Sequence, residues 1–102
     1  MKTTATLDFS ADTLYVQGVV DFGSVVALLH AGNEWLQRRA PERCTLDFSR
    51  ITSCNSAATS LLLSWLRSAA AAGKEAQVAG VPERLRSLMD LGGLQDLLPV
   101  AG

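Results

Sequence analysis

The sequence predicts a small α/β domain built on a mixed sheet. Three observations support this prediction. First, apolar and polar residues alternate in two neighbouring segments near the amino terminus. Second, the rest of the chain contains segments with the apolar spacing of a helix, separated by short apolar segments. Third, Gly, Pro or a capping residue stands between the elements. The predicted order is strand, strand, helix, strand, helix, strand, helix. A tight turn makes the first two strands antiparallel, whereas strands joined through a helix lie parallel, so the sheet contains both kinds of pairing.

The amino-terminal half of the chain predicts a hairpin followed by a helix. Thr3–Phe9 and Leu14–Val20 are strands on either side of a turn cluster at residues 10–13. Asp21 is a suitable N-cap for the helix, because its carboxylate can accept from first-turn N–H groups. The residues with helical spacing are Phe22, Val25, Val26, Leu29, Asn33 and Leu36. Pro41 ends this helix.

The carboxy-terminal half predicts two more strands and further helices. The elements are a strand at Arg43–Phe48, a helix from Ser56 to about Ala72, a strand at Glu75–Gly80, a helix that opens at Pro82, and one final helical turn at Leu94–Leu98. A polar turn separates the first of these strands from the Ser56 helix, and Gly73 ends that helix. Pro82 occupies a first helical turn, where its missing N–H is no loss.

Length and composition limit the class of protein. The 102 residues are enough for one small domain, 1–102, and 48% hydrophobic residues are enough for a core. A net charge of −1 without any Lys/Arg cluster argues against nucleic-acid binding. The longest nearly uncharged segment, Ile51–Leu66, is too rich in Ser and Thr to cross a bilayer, and the first residues lack the apolar segment of a signal peptide. We therefore expect a soluble, cytoplasmic domain without direct membrane insertion.

The polar residues provide a poor basis for catalysis. His30 is the only histidine and lies on the polar side of its predicted helix, whereas a general base needs a positioned partner. Cys44 and Cys54 have no His or Lys nearby in the sequence and lack metal-ligand spacing, so we expect buried thiols. Asp47 is better explained as a structural or turn-capping carboxylate than as a catalytic group. We expect no enzyme, no catalytic residue, no cofactor and no metal.

The helix that begins at Ser56 has two different sides. At 100° per residue, one side is apolar and should face the sheet; it contains Ala58, Leu62, Trp65, Leu66 and Ala69. The opposite side collects Ser56, Ser60, Ser64 and Arg67, with Leu63 beside them. Solvated helix faces usually carry Lys and Glu pairs, whereas small side chains lose little entropy when a partner covers them. The pattern fits a docking face and an ordinary Ala/Ser-rich surface equally well.

Ser56 itself has three interpretations. It is a plain helix cap, alone or with Asn55, or it marks an anion site, because the positive end of a helix dipole favours negative charge. In the third interpretation a kinase modifies its hydroxyl, which would add about −2 charge and repel a docked partner. The residues alone favour the cap.

These residues resemble a known family. Leu46–Ile51 and Asn55–Ala58, followed by the Leu-rich helix, are similar to the STAS domain, the fold of anti-sigma-factor antagonists. The resemblance covers nearly the whole chain and implies a single STAS-like domain, a mixed four- to five-stranded sheet with helices packed mainly on one face. Ser49–Ile51, the ending Leu94–Pro99 and the short length resemble the MlaB-like branch, small cytoplasmic subunits of the phospholipid-transporting ABC complex of Gram-negative bacteria.

The resemblance also implies how the site departs from its relatives. Signalling STAS domains typically carry Asp-Ser-Ser/Thr-Gly, and a partner kinase phosphorylates the hydroxyl. Here Asn55 takes the place of the Asp, Ser56 matches the hydroxyl residue, and Ala57-Ala58 replaces the pair that contains glycine. In the MlaB-like group the matching hydroxyl is implicated in binding the ATPase subunit.

The resemblance implies a non-enzymatic accessory subunit that binds the ATPase subunit of an Mla-type ABC complex on the cytoplasmic side of the inner membrane. The expected partner-binding residues are Asn55, Ser56, Ala57, Ser60, Leu63, Ser64 and Arg67. The alternative is an anti-sigma-factor antagonist that binds a serine kinase and is regulated by phosphorylation of Ser56. A homodimer of the isolated chain also stays open, since an uncovered docking face can self-associate.

Overall fold

Four strands and three helices occupy residues 5–92, the part of the chain that the computed structural model describes. The strands are β1 (Thr6–Ser10), β2 (Thr13–Val20), β3 (Arg43–Cys54) and β4 (Glu75–Ala79), and the helices are α1 (Val25–Arg38), α2 (Ala57–Ala71) and α3 (Glu83–Leu91). This is the predicted order of elements. The predicted helical turn at Leu94–Leu98 lies outside the described residues.

The sheet has the strand order β1-β2-β3-β4 and is mixed, as predicted. β1 and β2 form an antiparallel hairpin that closes at the pair Ser10 and Thr13. β2 pairs with β3, and β3 with β4, in parallel, because a helix connects each of these pairs. Parallel pairing brings the carboxyl ends of β2 and β3 to the same edge of the sheet, where α1 and α2 begin.

One face of the sheet carries the core. The strand residues that point to this face are fully buried, and they include Leu14, Val16, Leu46, Phe48 and Val78. The helices cover them with Leu28, Leu36, Leu62, Trp65, Leu85 and Met89. The opposite face carries half-exposed residues such as Tyr15, Thr45 and Asp47. The helices therefore pack mainly on one face, which confirms the predicted architecture.

β3 is longer than the sequence predicts. The prediction of a strand ending at Phe48 and a polar turn after it is wrong, because β3 continues to Cys54. β2 pairs with this extension as far as Val20. Register shifts at the β2 positions 15–17 and 18–19 each place one extra residue in β3. These bulges interrupt the alternation of side chains, so the segment does not have the period of a regular strand.

α1 begins later than predicted. Its first residue is Val25, and the Asp21 carboxylate instead accepts hydrogen bonds from the N–H groups of Gly23 and Ser24, at 2.9 and 3.0 Å. Asp21 therefore caps a turn that precedes the helix. Phe22 lies inside this turn and not in the helix.

The buried side of α1 is consequently rotated from the predicted one. Leu36 is buried as predicted, but the other large buried residues are Leu28 and Trp35, which the predicted spacing omits. Phe22 and Val26, predicted to face the core, are exposed. The prediction counted the turn residues before Val25 as part of the helix, and this moved the predicted apolar side away from the observed one.

Gly32 allows α1 and α2 to pack at close range. A Cβ atom at this position would lie only 2.3 Å from Cε2 and Nε1 of the Trp65 indole. The indole Nε1 donates a hydrogen bond to the carbonyl oxygen of Leu29 at 3.3 Å, and the ring meets Phe48 edge-on at a centroid distance of 6.1 Å. Trp65 thus links α2 to α1 on one side and to the sheet on the other.

α2 ends at the predicted glycine. Gly73 has φ of 74°, a left-handed conformation that costs glycine little. Its N–H donates to the Ala70 carbonyl at 3.1 Å, and the N–H of Lys74 donates to the Ala69 carbonyl at 2.8 Å. This pair of bonds is a Schellman motif, which satisfies the last carbonyl groups of the helix.

We predict that Gly32→Ala destabilises the protein by about 1–3 kcal/mol, since the new methyl group must displace the Trp65 indole from a filled core. Chemical denaturation with urea measures the change. Ala31→Ser, at the exposed neighbouring position, is the control and should stay within about 0.5 kcal/mol of wild type. Equal stability of Gly32→Ala and wild type would contradict the close packing of the two helices.

Candidate functional site

The candidate site lies where two connections meet at one edge of the sheet. The backbone N–H of Asn55, after β3, donates to the carbonyl oxygen of Val20, at the end of β2, at 3.2 Å. The turn before α1 and the start of α2 are therefore neighbours. This edge joins the carboxyl ends of two parallel strands, a common location for binding sites in α/β proteins.

Asn55, and not Ser56, supplies the side-chain cap of α2. The Oδ1 atom of Asn55 accepts a hydrogen bond from the N–H of Ala57 at 2.8 Å. The Ser56 hydroxyl makes no cap hydrogen bond, and Ser56 is exposed. Of the interpretations that the sequence left open, the cap role thus belongs to Asn55. Within residues 5–92 the hydroxyl of Ser56 makes no hydrogen bond that would prevent an interaction outside the chain.

The first N–H groups of α2 already have acceptors within the chain. Ala57 donates to the Asn55 side chain, and Ala58 to the Asn55 carbonyl at 3.0 Å. Thr59 and Ser60 donate to the Ser56 carbonyl at 3.1 and 3.4 Å. The first turn contains no acidic residue, so the dipole of the helix still favours negative charge. An anion would nevertheless find these four N–H groups occupied.

The partner-binding residues expected from the sequence differ in their exposure to solvent. Ser56, Ser60 and Arg67 are exposed, whereas Asn55, Leu63 and Ser64 are half-buried. The side chain of Ala57 is buried, with 1% exposure. It therefore supports the helix start from inside and is not available on the surface. The expected stripe is otherwise continuous along the outer side of α2.

Two exposed apolar residues near the start of α1 were not among the candidate site residues. Phe22 and Val26 are 69% and 59% exposed, and they lie in the turn before α1 and in its first helical turn. The sequence prediction assigned both to the core. The available signal was Asp21-Phe22-Gly23-Ser24, whose Asp, Gly and Ser are turn residues.

The other polar residues considered from the sequence do not converge on the site. His30 is exposed on α1. Asp47 accepts from the Ser49 N–H at 2.8 Å and from the Ser49 hydroxyl at 2.6 Å, so it has the predicted capping role, although within β3 and not in a turn. Within residues 5–92 no cluster of three or more His, Cys, Asp or Glu side chains is placed to hold a metal ion, and no helix is both long and apolar enough to span a membrane.

Both cysteines are buried thiols, as predicted. Burial raises the pKa of the Cys44 thiol, against the opposing effect of the Lys74 ammonium. Burial likewise raises the pKa of Cys54, which Arg84 opposes. Cys54 and Arg84 belong to the lining of a cavity of about 330 Å³ between the end of β3 and the start of α3. A raised pKa keeps each thiol protonated and weakly nucleophilic.

Comparison with known proteins identifies the family. A family model described as Mlab, STAS domain matches residues 3–99. The chain belongs to this STAS family. No curated protein matches the sequence significantly.

Solved structures share the STAS fold. An anti-sigma factor antagonist from Mycobacterium paratuberculosis gives a TM-score of 0.74 at 18% identity, covering 97% of this chain and 85% of that one. The phosphorylated Bacillus cell fate determinant SpoIIAA gives 0.67 at 17% identity, covering 96% and 91%. A sulfate transporter family protein from Wolinella succinogenes gives 0.65 at 17% identity, covering 91% and 75%. At these identities the likeness establishes the fold.

We predict that Asn55→Ala lowers the free energy of unfolding by about 0.5–2 kcal/mol, because the first turn of α2 loses its side-chain acceptor. Ser56→Ala is the matched control and should change it by less than about 0.5 kcal/mol, since the hydroxyl makes no cap bond. Urea denaturation of the two variants gives both values. The reverse order of destabilisation would show that Ser56 is the true cap.

We predict that iodoacetamide alkylates the native protein slowly at about pH 8 and faster as the pH rises, because the raised thiol pKa keeps the thiolate fraction small. In urea, both cysteines should react at the rate of free cysteine. Mass spectrometry of quenched samples, with single Cys44→Ala and Cys54→Ala variants to separate the sites, measures the rates. Equal rates in the native and the denatured chain would contradict the burial of the thiols.

Proposed function

We propose that this STAS protein is a non-enzymatic accessory subunit that binds the ATPase subunit of an inner-membrane phospholipid-transport ABC complex of the Mla type and supports its assembly or activity. The observation that carries the proposal is the match of the Mlab STAS family model to residues 3–99. In this proposal the protein is cytoplasmic and reaches the membrane only through its partner.

The surface along α2 supports a docking role. Ser56 and Ser60 are exposed and short, and Ser64 beside them is half-buried, so a partner backbone can approach closely at little cost in side-chain entropy. The hydroxyl of Ser56 is not used by the helix cap. It can therefore donate to or accept from a group on the partner without weakening the fold.

A non-enzymatic role agrees with the polar groups of the chain. STAS domains are generally binding or regulatory modules. His30 is exposed on α1, whereas Cys44, Asp47 and Cys54 lie on β3, where both thiols are buried and the Asp47 carboxylate is bonded to Ser49. Catalysis by general acid–base or nucleophilic chemistry needs such groups within hydrogen-bond reach of one another.

The second candidate function is that of an anti-sigma-factor antagonist regulated by a serine kinase. The observation that favours it is the exposed Ser56 hydroxyl, in a fold shared with the phosphorylated form of SpoIIAA. Against it, the N–H groups of Ala57 and Ala58 are bonded to Asn55. A phosphate on Ser56 would have to displace the Asn55 side chain or remain solvated.

We predict that Ser56→Glu and Ser64→Arg each weaken binding of the purified Mla-type ATPase subunit by about tenfold or more. Glu brings an unpaired charge to a face that must lose its water, and Arg blocks close approach. Isothermal titration calorimetry measures the affinity. Circular dichroism should give the wild-type spectrum for both variants.

Ser87→Glu and Ser87→Arg are the matched controls, because Ser87 is exposed on α3; both should bind like wild type. Unchanged affinity of Ser56→Glu and Ser64→Arg would show that the partner docks elsewhere. A wild-type chain that fails to bind the ATPase subunit but accepts phosphate on Ser56 from a serine kinase would replace the first proposal by the second.

A further inference from the structure

Two large apolar side chains at the start of α1 lie outside the core that residues 5–92 form. Phe22 is 69% exposed and Val26 is 59% exposed. Phe9, at 37%, differs because its ring packs on Trp35 at a centroid distance of 5.6 Å, with the Arg39 guanidinium 5.9 Å away. Leu91, at 87%, is the last residue of α3. Packing among residues 5–92 therefore does not account for the large apolar side chains of Phe22 and Val26.

The helix packing places this pair beside the α2 stripe. α1 and α2 run side by side in the same direction, since the Trp65 indole bonds to Leu29 and the Ser68 hydroxyl bonds to Asn33 at 2.8 Å. Val26 lies one turn before Leu29 and two turns before Asn33, so its exposed side chain is on the same side of α1 as Asn33, toward α2. Residues at the start of α1 are thus level with the start of α2, where Ser56 and Ser60 are exposed.

The surface formed by the start of α1 and the α2 stripe differs in charge between its two ends. Neither α1 nor α2 has an acidic residue in its first turn, and the Asp21 carboxylate accepts two backbone hydrogen bonds in its own turn. Arg67 is the one charged residue of the α2 stripe, and it forms no ion pair among residues 5–92. It lies about 16 Å along the helix from Ser56 at the usual rise per residue.

We infer that Phe22 and Val26 are the apolar anchor of the docking surface, and that the partner presents an apolar socket to them and a carboxylate opposite Arg67. This inference rests on the proposed function and specifies how the ATPase subunit is held. An aromatic side chain that enters a socket buries a large area and dominates interface energies. The carboxylate sets the orientation, and the short hydroxyl side chains between the two ends let the backbones approach.

The test compares Phe22→Ser and Val26→Ser with Leu91→Ser, a control that removes an even more exposed apolar side chain from α3. Each of the first two should weaken binding of the purified ATPase subunit by about tenfold or more, whereas Leu91→Ser should change it by less than about twofold. All three should unfold at the wild-type temperature, because these side chains contribute little to the core.

A second measurement tests the charge. Wild-type affinity should fall as sodium chloride is raised, because salt screens the pairing of Arg67 with a carboxylate. Arg67→Gln should bind more weakly at low salt and lose most of this dependence. Arg86→Gln, at an exposed position on α3, is the control and should keep the wild-type dependence.

The outcomes separate this inference from the proposed function. If the wild-type chain binds the ATPase subunit and Phe22→Ser and Val26→Ser bind equally well, the anchor is wrong and the proposed function stands. If the wild-type chain does not bind the ATPase subunit, both fall. If the two substitutions abolish a homodimer in sedimentation experiments but leave ATPase binding unchanged, the apolar pair is a self-association surface and the inference is overturned.

Discussion

The packing of the Trp65 indole against Gly32 is the contact on which the arrangement of the helices depends. A side chain at position 32 would occupy the space of the indole, 2.3 Å from its nearest atoms. The same ring bonds to the Leu29 carbonyl and meets Phe48 on the sheet. Because a filled core transmits displacement instead of absorbing it, this one contact sets the distance and the level at which α1 and α2 lie side by side.

The candidate site depends on that arrangement and on the different roles of Asn55 and Ser56 at the start of α2. Asn55 accepts the first N–H of the helix and accepts again through its carbonyl, while its own N–H donates to the end of β2. Ser56 is therefore exposed without being needed by the fold. The residue that caps the helix and the exposed residue beside it are therefore different residues.

The two faces of the sheet have different character. On the face that α1, α2 and α3 leave uncovered, the Arg50 guanidinium lies 3.9 Å above the Tyr15 ring, pairs with Asp8 at 3.3 Å and donates to Gln17 at 3.0 Å. These contacts join β1, β2 and β3 by polar and cation–π interactions. The uncovered apolar residues Phe22 and Val26 lie instead at the helical side, which is why the docking proposals concentrate there.

Local periodicity and capping chemistry are properties of neighbouring residues, so the sequence predicts the order of elements, the mixed sheet, the stop at Gly73 and the inner side of α2. Other features depend on contacts between distant segments. Pairing with β2 extended β3 through polar residues to Cys54, and packing of α1 buried Leu28 and Trp35 and left Phe22 and Val26 exposed. The burial of Ala57 depended likewise on how distant segments meet. Such contacts between distant residues leave no period in the sequence.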